Sequence, residues 1–294
     1  EDVLGDDPLA EQRWPLALVW PRAHLGKDFS EQCLAVAATH LSPGGRLLCA
    51  VRKARGGASL KRVMEALLGN VRVIARDRGY HLHASEHAGQ LNLELARELI
   101  ERRYAWRDPL LGDIELLGVP GVFSRKHLDV GTAALLRHLE HQDGALPQTP
   151  ARVLDLGCGL GALSLWAARR WPSTRVLALE TNVLAASLTR VNAARAGVEA
   201  RVAVLNQDAL EEPALERSFV GDCELALVNP PTHANAEVFS ALVATPRRYL
   251  RPGSPAWFVV NRVGALRKAL ARSEASIDAH VEAPGFHLVR ARWG

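Results

Sequence analysis

Arg152-Val-Leu-Asp-Leu-Gly-Cys-Gly-Leu-Gly-Ala162 is the stretch that decides how this chain folds. Its apolar start, Val153-Leu154, reads as a buried parallel strand closed by Asp155. Gly157, Gly159 and Gly161 make a turn, and a helix-compatible run from Ala162 to Arg170 follows at once. Glycine admits positive φ and lets a ligand approach a backbone that carries no Cβ. The helix then opens with unpaired N–H groups that suit a carboxylate or a phosphate. Dinucleotide-binding folds use a similar turn, so the glycines alone do not name the ligand.

Three further strand ends narrow the choice. Arg175-Val-Leu-Ala-Leu-Glu180 is an apolar run closed by Glu180, whose carboxylate can accept both hydroxyl hydrogens of a ribose. Asp208 follows Val202-Ala-Val-Leu205, where a side-chain oxygen can accept from an adenine amino group. Leu225-Ala-Leu-Val228 is a fourth apolar strand, and it ends in Asn229-Pro230-Pro231. Each acid taken singly also suits a helix N-cap. Four strand ends carrying D-x-G-x-G-x-G, E, D and N-P-P form a joint pattern that capping does not explain.

The pattern resembles the class I S-adenosylmethionine-dependent methyltransferases, in the branch that methylates planar exocyclic or amide nitrogens. Pro120-Gly-Val-Phe-Ser-Arg-Lys-His-Leu-Asp-Val-Gly-Thr132, just upstream, is similar to the corresponding segment of the bacterial ribosomal RNA guanine-N2 methyltransferases, small-subunit type. The likeness runs from Gly118 to the C-terminus. It implies S-adenosyl-L-methionine as cofactor and a Rossmann-like, doubly wound, seven-stranded sheet. Asp155, Gly157, Gly159, Gly161, Glu180, Asp208 and Ala209 would line the cofactor, and Asp129, Gly131, Thr132 and Asn229 would lie toward its methionine end. Asn229, Pro230 and His233 are the implied catalytic residues. The family carries an aromatic residue after N-P-P; Thr232 stands there, so base stacking would fall to His233, Phe123 or Trp257.

At 294 residues the chain has room for two domains. Hydrophobic residues make up 48% and charged residues 23%, enough apolar material for each domain to bury a core. The net charge of +4 and isoelectric point near 9.1 suit a polyanionic partner, here ribosomal RNA or the small ribosomal subunit. An arginine-rich enzyme without nucleic acid has the same balance. Cys33, Cys49, Cys158 and Cys223 form no C-x-x-C pair, and no His/Cys spacing suits zinc, so the cysteines read as reduced residues of a cytoplasmic protein. His81, His83 and His87 sit on an alternating strand and its exit without an acid shell, and no metal is expected. No apolar run reaches the ~18 residues of a membrane span. The chain begins at Glu1, without a methionine or a signal-peptide core, as a segment of a longer gene product would.

The N-terminal part echoes the C-terminal one. Leu16-Ala-Leu-Val-Trp-Pro-Arg22 matches Leu225-Ala-Leu-Val-Asn-Pro-Pro231 at an offset of 225 − 16, or 209, and the register persists from Pro21 on Pro230 to Val51 on Val260. Gly79-Tyr-His-Leu82 matches Gly285-Phe-His-Leu288 at 206. A fixed register argues for internal duplication. Residues 1–113 therefore read as a truncated, degenerate methyltransferase-like α/β domain. Trp20 replaces the N-P-P asparagine, the glycine half is missing, and no cofactor is expected to bind. The resemblance assigns such a copy to RNA placement. Residues 114–294 read as the catalytic domain, with the boundary in the Pro- and Gly-punctuated stretch from Trp106 to Glu115.

The acceptor chemistry follows from N-P-P. An aromatic amino group is a poor nucleophile because its lone pair is delocalised into the ring. The Asn229 Oδ atom and the Pro230 carbonyl can each accept one of its N–H groups, and two prolines stiffen the turn that aims them. Adenine N6, a protein glutamine, or a binding module without catalysis remain readings of the same motif.

Overall fold

The computed structural model describes residues 11–141, 144, 146–208, 217–231 and 234–294. Backbone contacts divide the chain into two compact units, residues 1–104 with 119–123, and residues 105–118 with 124–294.

Among the described residues, the first unit is a four-stranded sheet with three α-helices. Strand β1 (Trp14–Val19) leads through α1 (Lys27–Thr39) to β2 (Leu41–Arg52), and a tight turn over Lys53–Gly57 leads to α2 (Ala58–Leu68). The hairpin β3 (Arg72–Asp77) and β4 (Tyr80–Glu86) turns at Arg78 and Gly79, both at positive φ. Helix α3 (Leu93–Ile100) closes the unit, with the Asn92 side chain accepting from the Leu95 N–H at 3.0 Å. The strand order is β1-β2-β4-β3; β1 and β2 are parallel and the other pairings antiparallel. Leu34, Leu47, Met64 and Leu67 are fully buried between sheet and helices.

In the second unit a short pair, β5 (Tyr104–Arg107) and β6 (Glu115–Gly118), precedes α4 (Val130–His141). The boundary expected at 113/114 thus falls inside this pair. Strand pairing, invisible in a polar Pro- and Gly-rich stretch, joins residues 105–113 to the second unit.

The main sheet alternates strands and helices: β7 (Arg152–Leu156), α5 (Ala162–Arg170), β8 (Arg175–Glu180), α6 (Val183–Arg195), β9 (Val202–Asn206), β10 (Leu225–Val228), α7 (Ala236–Ala244), α8 (Pro246–Tyr249), β11 (Pro255–Val260) and α9 (Val263–Arg272). It ends in the antiparallel pair β12 (Ser276–Ala283) and β13 (Phe286–Arg292). The order is β12-β13-β11-β10-β7-β8-β9, with β7 to β11 mutually parallel and β13 antiparallel to β11. This is the seven-stranded, doubly wound sheet that the resemblance implies. Strands buried on both faces read as continuous apolar runs, and β10 and β11 are buried at every position. Edge strand β12 is half exposed and polar, so it carries no such run. All four cysteines are free. Among the described residues, no helix is long and apolar enough to cross a membrane.

Candidate functional site

The sheet changes direction at β7. The chain runs outward through β8 and β9 on one side, then returns to β10 on the other. Ligands of open α/β sheets lie beyond the carboxyl strand ends at such a switch point. The parallel register brings those ends level: Leu156 pairs with both Leu179 and Val228, and Glu180 pairs with Asn206.

The glycine turn leaves β7 there. The N–H groups of Gly157 and Cys158 both donate to the Leu179 carbonyl, at 2.9 and 3.1 Å. Gly157 and Gly159 have φ of +74° and +59°, and a Cβ at either would meet no atom within 4 Å. They border open space. Gly161 differs: a Cβ there would lie 2.9 Å from Thr189 Cγ2, so this glycine serves the close packing of α6. The Gly159 N–H donates to Glu180 Oε2 and the Asn182 N–H to Oε1, each at 2.9 Å. Glu180 is thereby fixed, with acceptor capacity left on both oxygens. Gly161 precedes α5 and offers no side chain to cap it.

Asp155 is fully buried. Its Oδ2 accepts from Ser164 Oγ at 2.6 Å, whereas Oδ1 has no hydrogen-bond partner among the described residues. Burial pushes its carboxyl up to about 7, and the nearby Glu180 charge adds to the rise. A buried oxygen left unpaired costs free energy, and a cationic donor would satisfy it. Burial also drives the Cys158 thiol well above its ordinary range, which leaves it inert.

Asn229 follows β10 and meets the start of α4. Its Nδ2 donates to Asp129 Oδ2 and to Thr132 Oγ1, both at 2.9 Å. Asp129 also caps α4, accepting from the Thr132 N–H at 2.8 Å. With both Nδ2 hydrogens engaged, Oδ1 is the part of the amide that remains to accept. A Cβ on Gly131 would lie 2.8 Å from Phe286 Cε1, so Gly131 lets the ring approach α4. Pro230 is buried and Asp208 is exposed past the end of β9. Ala209, Thr232 and His233 lie outside the described residues.

Sequence reading missed several supports. Asn192 accepts from the Leu117 N–H at 2.8 Å and donates to the Leu117 and Leu160 carbonyls, tying β6 to the glycine turn. Asn206 donates to the carbonyls of Glu180 and Thr181. Trp257, offered above as a stacking surface, is 1% exposed. It packs edge-on to His138 at 4.9 Å and under Arg290 at 5.6 Å, so a base cannot reach it. Phe123 is 67% exposed and belongs to the first unit. Potential metal-ligand atoms of His280, Glu282 and His287 lie within 4.8 Å of one another, brought together by the β12–β13 pairing rather than by sequence spacing. Arg267, a donor only, reaches His280 Nδ1 at 3.2 Å, and His280 Nε2 lies 3.1 Å from His287 Nδ1.

Known proteins fit this geometry. A family model described as the methyltransferase small domain matches residues 113–290. A ribosomal RNA small subunit methyltransferase C of Pseudomonas entomophila strain L48 is 30% identical over 187 residues, 62% of this chain and 52% of that protein. The protein of the same name from Alcanivorax borkumensis is 30% identical over 194 residues, 64% of this chain and 55% of its own length. The chain spans about half the length of the curated relatives it matches. Among solved structures, the T. thermophilus 16S rRNA N2 G1207 methyltransferase, in complex with AdoMet and guanosine, has a TM-score of 0.77 at 24% identity, covering 96% of this chain and 74% of that one.

Proposed function

The chain belongs to the methyltransferase small domain family, and from that premise we propose that it transfers a methyl group from S-adenosyl-L-methionine to the exocyclic N2 amino group of a guanine in ribosomal RNA. The observation that carries this reading is the Asn229 amide, whose Nδ2 is held by Asp129 and Thr132 so that Oδ1 faces the acceptor role. The relatives named for small-subunit RNA support the choice of guanine and of RNA.

The residues fit the cofactor. Asp155 Oδ1 is a buried acceptor in need of a donor, matched to a ligand ammonium. Open space beside Gly157 and Gly159 accommodates a ligand backbone. The uncapped start of α5 suits its carboxylate. Glu180 is fixed for the ribose hydroxyls, and Asp208, exposed past the end of β9, would take the adenine amino group; Ala209 next to it in sequence lies outside the described residues. When bound, S-adenosyl-L-methionine supplies a methyl group on a sulfonium centre, open to in-line displacement.

The rest is positioning and electrostatics. Asn229 Oδ1 and the Pro230 carbonyl accept the two N–H groups of the guanine amine and turn its lone pair toward the methyl. Asp129 and Thr132 act through Asn229 by fixing its rotamer. His233 stands beside this turn in sequence, as a contact for the base. No strong base is required, because the proton can leave after transfer.

The first unit is proposed as a degenerate copy of the second one's C-terminal half, serving RNA placement in the cytoplasm rather than cofactor binding. Its β1-β2-β4-β3 order reproduces β10-β11-β13-β12. To test the function, the purified chain is incubated with S-adenosyl-L-methionine and either naked ribosomal RNA or small subunits, and the digested nucleosides are read by mass spectrometry. N2-methylguanosine is expected. N6-methyladenosine or a methylated protein glutamine would move the activity to another N-P-P chemistry, and no transfer to either substrate would sink the enzymatic reading.

A further inference from the structure

The first unit carries a cavity of about 470 Å³, bordered by Trp20, Pro21, Lys27, Arg52, Arg55 and Tyr80 among others. The size is within the roughly 300–1,000 Å³ of small-molecule sites. Trp20 and Pro21 follow β1, Arg52 ends β2, and Lys27 opens α1. The cavity therefore sits past the carboxyl ends of two parallel strands, where α/β units bind ligands.

Its chemistry is that of a nucleotide site. Trp20 is 71% exposed, a large cost in apolar surface for a residue with no core role. Its ring centroid lies 6.1 Å from that of Tyr80. Arg52 pairs with Tyr80 across the sheet and sets its guanidinium 5.2 Å above the Tyr80 ring. Arg55 has no hydrogen-bond or ion-pair partner among the described residues, and Lys27 is held 3.2 Å from Glu31. Three cations and no carboxylate border the space. Aromatic faces beside cations bind single-stranded nucleic acid, the base by stacking and the phosphate by charge.

We propose that this cavity takes one unpaired nucleotide of an RNA strand, its base on Trp20 and its phosphates at Arg52 and Arg55. The inference rests on the reading of RNA as substrate given above. At the register position where the second unit has Asn229, the first has Trp20: a hydrogen-bond acceptor is replaced by a stacking plane. Base-paired RNA cannot present a free base face, so single strands should be preferred.

The test measures fluorescence anisotropy of a labelled single-stranded RNA, about ten nucleotides long, with the full chain and its variants. Trp20→Ala should weaken binding by about 5- to 100-fold, the loss of one stacked base. Trp20→Phe should restore most of the affinity. Arg55→Ala should weaken it severalfold and lower the salt slope by about 0.7. The corresponding duplex should bind more weakly and ignore Trp20→Ala. A Trp20→Ala chain that binds the strand like the parent overturns the inference, as does an equal loss on strand and duplex, or a parent that binds no RNA. Methyl transfer is followed in parallel. A parent that methylates ribosomal RNA while Trp20→Ala keeps strand affinity sinks only the cavity; a parent inactive on RNA while Trp20→Ala loses strand affinity sinks only the methylation reading.

Discussion

The sheet of the first unit and the β10-β11-β13-β12 half of the second share more than connectivity. Val19 pairs with Cys49 as Val228 pairs with Phe258, a shift of 209 on both strands. Arg46 pairs with Glu86 as Pro255 pairs with Arg292, and Ala75 pairs with Leu82 as Val281 pairs with Leu288, with 206 for the hairpin strands. Each hairpin carries one register shift, between Val73 and Ala75 in one and between Ile277 and Ala279 in the other. The strand pairings agree over most of their length, although the two hairpin shifts lie two residues apart once the offset of 206 is applied, and the strand ends do not agree. Asn229-Pro230-Pro231 stands where Trp20-Pro21-Arg22 stands, and among the described residues only the sheet of the second unit continues into β7, β8 and β9. A sheet of this kind is a scaffold; what it does depends on the few residues at its carboxyl edge and on the half that carries the glycine turn.

That contrast can be broken most directly at the turn. Gly157→Val sets a branched side chain in the open space and at a φ of +74° that only glycine adopts cheaply. Calorimetry with S-adenosyl-L-methionine should show binding lost; unchanged affinity would remove the cofactor assignment. The next effect is at Asn229. Asn229→Ala removes one oriented acceptor and should slow single-turnover methyl transfer by ~10²–10³, with a cofactor Kd within a few-fold of the parent because Asp155, Glu180 and the glycine turn are untouched. Loss of rate and affinity together would make Asn229 a folding or cofactor residue instead.

Smaller still is the pH effect of Asp155. Its carboxyl is raised to about 7 in the folded chain, so the folded state holds its proton more tightly than the unfolded one. The group therefore favours folding below the ordinary carboxylate range, and that contribution is lost as pH rises toward about 7. A cationic ligand favours the carboxylate, so cofactor affinity should climb between about pH 5.5 and 7.5, with proton release at the lower end. Asp155→Asn should flatten the profile; an equally steep profile in that variant would assign the titration elsewhere. The smallest expected change is none. Trp20→Asn gives the first unit the asparagine of the second, yet titration should still give one cofactor per chain, because among the described residues of the first unit no counterpart of β7 to β9 supplies a glycine turn. A second equivalent would erase the distinction between the units.

The sequence by itself determined the doubly wound sheet class and marked the strand ends along its carboxyl edge. Val153-Leu154, Arg175–Glu180 and Leu225–Val228 are continuous apolar runs because parallel strands are buried on both faces, and the glycines and acids at their ends are local signals. The offsets of 209 and 206 were legible for the same reason: they record spacing along the chain. Only the tertiary structure decided what depends on distant partners. Asp129 and Thr132 meet Asn229 across 100 and 97 residues, and no local pattern announces that contact. Edge strand β12 exposes Ser276, Ile277, Asp278 and Glu282, carries no continuous apolar run, and takes its conformation from pairing with β13. Trp257 could be read as a stacking surface until burial closed it off. The raised carboxyl of Asp155 comes from removal of water on every side, and desolvation is a property of the packed surroundings, which a linear order of residues does not contain.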